Sequence, residues 1–243
     1  MTSDGTNTYE WDAENRLIKI NYPGMGNSSE FRLDALSRTV VAVETVDGAV
    51  EGTDQFVWSV VDRAELRDGL GSVKDQYYIR GVKEGINLRF YSQDLLGSIM
   101  ELTDSLGTIK ARYQYEPFGV ATETQGPESS DFGFAGYYQC RRSGLSSTLF
   151  RFYSAKLARW INRDPILEKG GINLYQYSFN SPASIIDPSG LDSHNIPAAE
   201  LARNLSIPLS ALRGGCFDIV NAALKMPPGT RPDKYKTTKC FYG

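Results

Sequence analysis

Two Asp-Pro steps are the residues of this chain whose type and spacing could do chemistry. They are Asp164-Pro165 in WINRDPILE (160–168) and Asp187-Pro188 in IIDPSGLDS (185–193). Two carboxylates held close can hydrolyse a peptide, one activating water and the other protonating the leaving amine. They cannot both ionise comfortably, so such a pair shares a proton. The same residues also make turns with no chemistry at all. Pro fixes φ at the second turn position, Gly190 admits φ > 0, and Asp accepts hydrogen bonds from backbone N–H groups two residues on. Spacing alone leaves both readings open.

Other chemistries find less support. Cys140, Cys216 and Cys240 form no CxxC pair, and His194 is the single histidine, so no metal site, cofactor or disulfide framework is expected. Cys216 with His194 could make a thiol–imidazole pair, but no motif surrounds either, and a small buried Cys is the plainer reading. GGINL (170–174) is too short for a phosphate loop and reads as a turn before a strand. Lys225, Arg231, Lys234, Lys236 and Lys239 against Asp233 could touch nucleic acid or an anionic membrane, although a solvated end explains them as well. A net charge of −3 argues against nucleic-acid binding by the whole chain.

The elements that must position the two Asp-Pro steps read as strands. YEWDAENR (9–16) and FRLDALSR (31–38) repeat at an offset of 22 residues, and FVWSVVDR (56–63) follows the pattern with Ser59 in place of the Asp. Each opens with alternating apolar and polar residues, the strand period, so the repeat predicts a string of hairpins with the aromatics on one sheet face. RFYSQDLLGSIMELTD, SLGT and IKARYQYEPFGV continue the strand–turn–strand pattern. Residues 122–131 (TETQGPESSD) read as a polar loop, and STLFRFYSAKLARWI as further strand, with 154–162 open to a helix.

The character of the chain changes after residue 191. Residues 1–191 hold 19 Lys/Arg and 25 Asp/Glu, a net of −6, whereas 192–243 hold 7 and 4, a net of +3. IPAAELARNLSIPLSALRGG and FDIVNAALKM show helical spacing. The expected organisation is a curved antiparallel sheet of successive hairpins over 1–191, followed by a small α-helical C-terminal tail over 192–243. MTSDGTNTYEW is polar, and no apolar run is long enough to span a bilayer, so synthesis as a soluble cytoplasmic protein is expected, with any export left to a specialised secretion system.

The hairpin repeats, the DLLGSIMELTDSLGTIKARYQYEPFG block and RFYSAKLARWINRDPILEKGGINLYQYSFNSPASIIDPSGL together resemble the tyrosine–aspartate repeat, or Rhs, proteins. The last block is similar to the Rhs-associated core that also closes the C subunits of toxin complexes. The resemblance implies part of a β shell around a toxic C-terminal polypeptide. It also implies an aspartyl autoprotease that cuts after the Leu of Asp-Pro-x-Gly-Leu. Carried onto this chain, Asp164 and Asp187 are the catalytic carboxylates, Arg163 their charged neighbour, and Leu191-Asp192 the scissile bond presented by the Pro188/Gly190 turn. The partners implied are the chain's own tail as substrate and cargo, a larger Rhs or toxin shell, and a cognate immunity protein. The alternative is an inactive repeat scaffold pairing with a longer shell protein. One departure stands out: where the family has Gly three residues after the first Asp, this chain has Leu167, which a turn needing φ > 0 would strain.

Overall fold

A computed structural model describes residues 1–191 and the backbone of 194–195. The helical reading of the tail and the Cys216 and basic-end readings lie outside the described residues, as do Asp192 and the His194 side chain.

The hairpin string is continuous. Twelve antiparallel strands follow one another in chain order across a single open sheet. They are β1 (Thr8–Trp11), β2 (Leu17–Asn21), β3 (Ser28–Leu33), β4 (Thr39–Val46), β5 (Ala49–Ser59) and β6 (Asp62–Arg67), then β7 (Val73–Tyr78), β8 (Gly81–Glu84), β9 (Asn87–Gln93), β10 (Ile99–Asp104), β11 (Ile109–Tyr115) and β12 (Ala121–Gln125). β12 overlaps the stretch read as a loop, which it shares over residues 122–125. Its five residues are all exposed, so it has no buried face to leave a period in the sequence.

One turn recurs between the strands, and the Asp of the repeat builds it. The Asp12 N–H donates to Arg16 O (3.0 Å), and Asp12 Oδ1 accepts the N–H groups of Glu14 (2.9 Å) and Arg16 (3.0 Å). Asn15, three residues after the Asp, takes φ +59°. The register slips at Glu10/Trp11, as it must when five residues close a hairpin through a bulge. Asp34, Asp68, Asp94 and Asp104 repeat these bonds, with Ser37, Gly71, Gly97 and Gly107 at the positive-φ position. Arg16 and Arg38 close the first two turns by donating Nε to Asp12 and Asp34 Oδ2, 2.7 Å each. The third copy departs: Ser59 pairs directly with Asp62, leaving a two-residue turn at Val60-Val61.

The residues after the sheet form a compact plug on one of its faces. β13 (Tyr138–Cys140), β14 (Leu145–Ser147), β15 (Phe152–Ser154) and β16 (Arg159–Trp160) make a small antiparallel sheet, so 154–162 turns back as a hairpin rather than a helix. β17 (Ile185–Ile186) pairs with β18 (His194–Asn195) beyond it.

Among the described residues every hydrophobic cluster joins sheet to plug. Tyr9, Leu17, Ile20 and Phe31 pack with Leu145, Phe152 and Ile161; Phe56 and Leu66 pack with Tyr138; Tyr91, Ile99 and Leu102 pack against Phe132. The first strands and the last ones thus reach the same small plug, which requires the sheet to curl around it. The repeat aromatics Tyr9, Phe31 and Phe56 are all buried on that inner face. Full burial of such side chains is worth about 1.5–3 kcal/mol each, so the plug is the main source of the sheet's stability.

Candidate active site

Asp164 and Asp187 are brought together by a residue between them, Arg151. It precedes β15 in the otherwise apolar and aromatic run LFRFY and is 3% exposed. Its Nη1 lies 2.9 Å from Asp164 Oδ2 and its Nη2 donates to Asp187 Oδ2 at 2.8 Å. Its Nε donates to Gly190 O, and Trp160 stacks on the guanidinium with the ring centroid 4.5 Å from its central carbon. Both carboxylates are buried, Asp187 at 1% and Asp164 at 5% exposure.

The two Asp-Pro steps share two features of the repeat turn, the i+3 N–H donated to the Asp carbonyl and a positive φ at that residue, but lack its closing bond from the Asp N–H to the i+4 carbonyl. The Leu167 N–H donates to Asp164 O (3.1 Å) and the Ile166 N–H to Asp164 Oδ1 (2.9 Å). Gly190 and Leu191 donate their N–H groups to Asp187 Oδ1 at 2.9 and 3.0 Å. The positive-φ position is occupied by Leu167 (+58°) and Gly190 (+78°). Leu167 therefore sits in the strained geometry that its sequence position predicts. The turn reading and the reading of paired buried carboxylates hold for the same residues.

The plug fixes these turns from behind. The Tyr137 hydroxyl donates to Asp187 O (2.8 Å) and lies 3.1 Å from the Tyr177 hydroxyl, both buried. Asn162 Oδ1 accepts the Phe152 N–H (2.8 Å), and Ser189 O accepts the Phe150 N–H (3.1 Å). Gly170 of GGINL makes room: a Cβ there would come within 2.7 Å of Asp164 Oδ2. At Gly190 a Cβ would strike Thr148 and Arg151.

Electrostatics set the protonation chemistry. Burial pushes the Asp187 carboxyl above its ordinary value, only partly offset by Arg151 and the two backbone N–H groups. Burial likewise lowers Arg151, offset by Asp187 and then Asp164. Each carboxyl group meets its own guanidinium nitrogen, so the charge of Arg151 offsets part of the repulsion between them.

Arg163 is placed differently from its neighbour. It is exposed and makes no ion pair among the described residues, because successive side chains of an extended segment diverge. It lies on a cleft of about 350 Å³ together with Asp164, Leu167 and Leu191, which Glu14 and Arg16 of the first hairpin turn also line. Pro188 is exposed and Gly190 buried. Sequence reasoning missed Arg151 and Tyr137. A lone Arg in an apolar alternating run was the available signal, since a charge there must find a buried partner. Among the described residues no His/Cys/Asp/Glu group could hold a metal ion.

No family model matches the sequence. The chain is similar to bacterial toxin proteins. It is 33% identical over 222 residues to "Double-stranded DNA deaminase toxin A" of Burkholderia cenocepacia (76% of this chain, 15% of that protein). It is 27% identical over 202 residues to "tRNA nuclease WapA" of Bacillus subtilis (78% and 9%), and 31% identical over 214 residues to "Toxin subunit YenC1" of Yersinia entomophaga (76% and 22%). The chain thus spans less than a quarter of each of these relatives. Its fold matches that in the crystal structure of TcdB2-TccC3, with a TM-score of 0.61 at 18% identity, covering 77% of this chain and 10% of that one. It also matches the Photorhabdus luminescens Tc holotoxin pore, with a TM-score of 0.63 at 16% identity, covering 78% and 10%.

Proposed function

We propose that the chain is the autoprocessing end of an Rhs-type polymorphic toxin, in which Asp164 and Asp187 cleave the Leu191–Asp192 bond and release the segment from Asp192 onward. The observation that carries this reading is the fastening of Leu191 N–H to Asp187 Oδ1 at 3.0 Å, which fixes the residue before the scissile bond against one carboxyl group. Similarity to toxin proteins and subunits supports the same reading.

In the proposed reaction one carboxylate takes a proton from water while the oxygen adds to the Leu191 carbonyl carbon. The other carboxyl protonates the Asp192 nitrogen as the C–N bond breaks. Asp187, with its raised proton affinity, suits the acid role. Arg151 orients both groups, and Arg163 borders the cleft in which Leu191 lies. The substrate is tethered, which can contribute ~7–11 kcal/mol through placement alone.

The second reading is an inactive scaffold whose open edges, β1 and β12, pair with a longer shell protein. The observation favouring it is the guanidinium between the carboxylates, which holds both in ion pairs. Intact mass separates the two readings. Cleavage gives fragments from the 27.0 kDa chain that join at Leu191 and Asp192, and these vanish in both Asp164→Asn and Asp187→Asn. A chain that stays whole for days under folded conditions overturns the protease reading.

A further inference from the structure

Arg63 is the Arg of the third repeat copy, aligned with Arg16 and Arg38. Those two donate to the Asp of their own turns. In the third copy that Asp is Ser59, and the partnerless guanidinium turns inward. Arg63 is 9% exposed and lies among Trp58, Tyr138 and Phe56, its central carbon 4.5, 4.5 and 5.1 Å from their ring centroids. It donates Nη2 to Ser147 Oγ (2.9 Å), and among the described residues it forms no ion pair and its buried Nε finds no acceptor. Aromatic faces offset part of the cost of burying a cation, but they do not accept the in-plane N–H.

The guanidinium lines a cavity of about 370 Å³ between sheet and plug. Most charges around this cavity are paired within it: Glu44 with Arg142 (3.3 Å), Asp54 with Lys74 (2.8 Å) and Asp131 with Arg141 (3.0 Å). Among the described residues two have no ion pair, and they have opposite signs. Arg63 is one and Asp75 on β7 is the other, and Phe31, Phe56 and Leu66 also line the cavity. Burial, and then the Asp131 and Glu84 carboxylates, push Asp75 up to about 6, with the charge of Lys74 offsetting only part of that rise.

We propose that this cavity binds a small zwitterion of amino-acid to dipeptide size, its carboxylate on Arg63, its ammonium on Asp75 and an apolar side chain against the phenylalanines. The site is separate from Asp164 and Asp187 and stands or falls independently of the cleavage reaction.

Calorimetric titration of the full chain tests it, with leucine, phenylalanine and the dipeptide leucyl-leucine as probes. The N-acetyl dipeptide lacks the ammonium and the dipeptide amide lacks the carboxylate. A zwitterion should bind, and each blocked form should bind at least about tenfold more weakly, the loss of one charge-assisted contact. Arg63→Met should erase the preference over the amide, and Asp75→Asn the preference over the acetylated form. Asp75 lies only partly buried on the wall, so the second variant decides the matter even where the first fails to fold. Equal binding of the free and blocked forms, or no heat with any zwitterion to about 10 mM, overturns the proposal.

Discussion

Leu167 and Gly190 occupy matching positions, each three residues after its Asp and donating its N–H to that Asp's carbonyl, with φ of +58° and +78°. Only one of them is suited to such a φ. An L-residue in the left-handed region is disfavoured by roughly 1–2 kcal/mol, and glycine is not.

Leu167→Gly should therefore stabilise the fold by up to about 1 kcal/mol, once glycine's extra entropy in the unfolded chain is subtracted. Leu167 is 50% exposed, so little burial is lost. The urea midpoint should rise at constant slope; a fall would mean that the Leu167 side chain contributes packing that outweighs the strain.

Arg151→Met should cost about 3–5 kcal/mol, because it leaves two buried carboxylates without their cation. Adding Asp164→Asn and Asp187→Asn to the same chain should recover much of the loss. Urea unfolding of the single and triple variants measures both. A triple variant as unstable as the single one would place the cost in lost packing on Trp160.

Much of this arrangement is legible in the sequence, and the rest is not for identifiable reasons. The Asp turns are local: Asp12, Asp34 and both Asp-Pro steps announce themselves within five residues. Arg151 reaches Asp187 across 36 positions, and no periodicity carries that pairing. The β12 strand is invisible because neither of its faces is buried. The third repeat copy reads as a weaker version of the first two, whereas its Ser59 changes the turn type and sends Arg63 into the interior.

Stability should also depend on pH through Asp75. Its carboxyl is raised from 3.8 to about 6 in the folded chain, so the folded state holds the proton more tightly. The contribution is complete below about 4 and is lost as pH rises through about 6. Asp75→Asn removes this dependence. The stability of the variant relative to the parent should climb between those pH values, in unfolding curves taken at each pH; a constant difference would show that Asp75 titrates normally.

Asp34→Ala tests the repeat turn. It removes the acceptor for the Leu36 and Arg38 N–H groups and the ion pair to Arg38, and should cost about 1–2 kcal/mol given partial exposure. Asp34→Asn keeps an acceptor oxygen and should lose less. Equal losses would mean that the Arg38 ion pair carries the turn.

The attachment of every core cluster to the plug has a consequence for the order of events on the ribosome. The sheet emerges first with its inner apolar face uncovered, and the residues that cover it follow later in the chain. Arg63 waits for Ser147, 84 residues downstream, and Arg142 reaches back 115 residues to Asn27. Such long-range closure makes folding slow and late. The carboxylate site is built from residues of the plug, which is made after the sheet, so it is completed late. A chain stopped before Phe134 should remain unfolded by circular dichroism, and any chemistry at Leu191 should begin only once the sheet has closed on its plug.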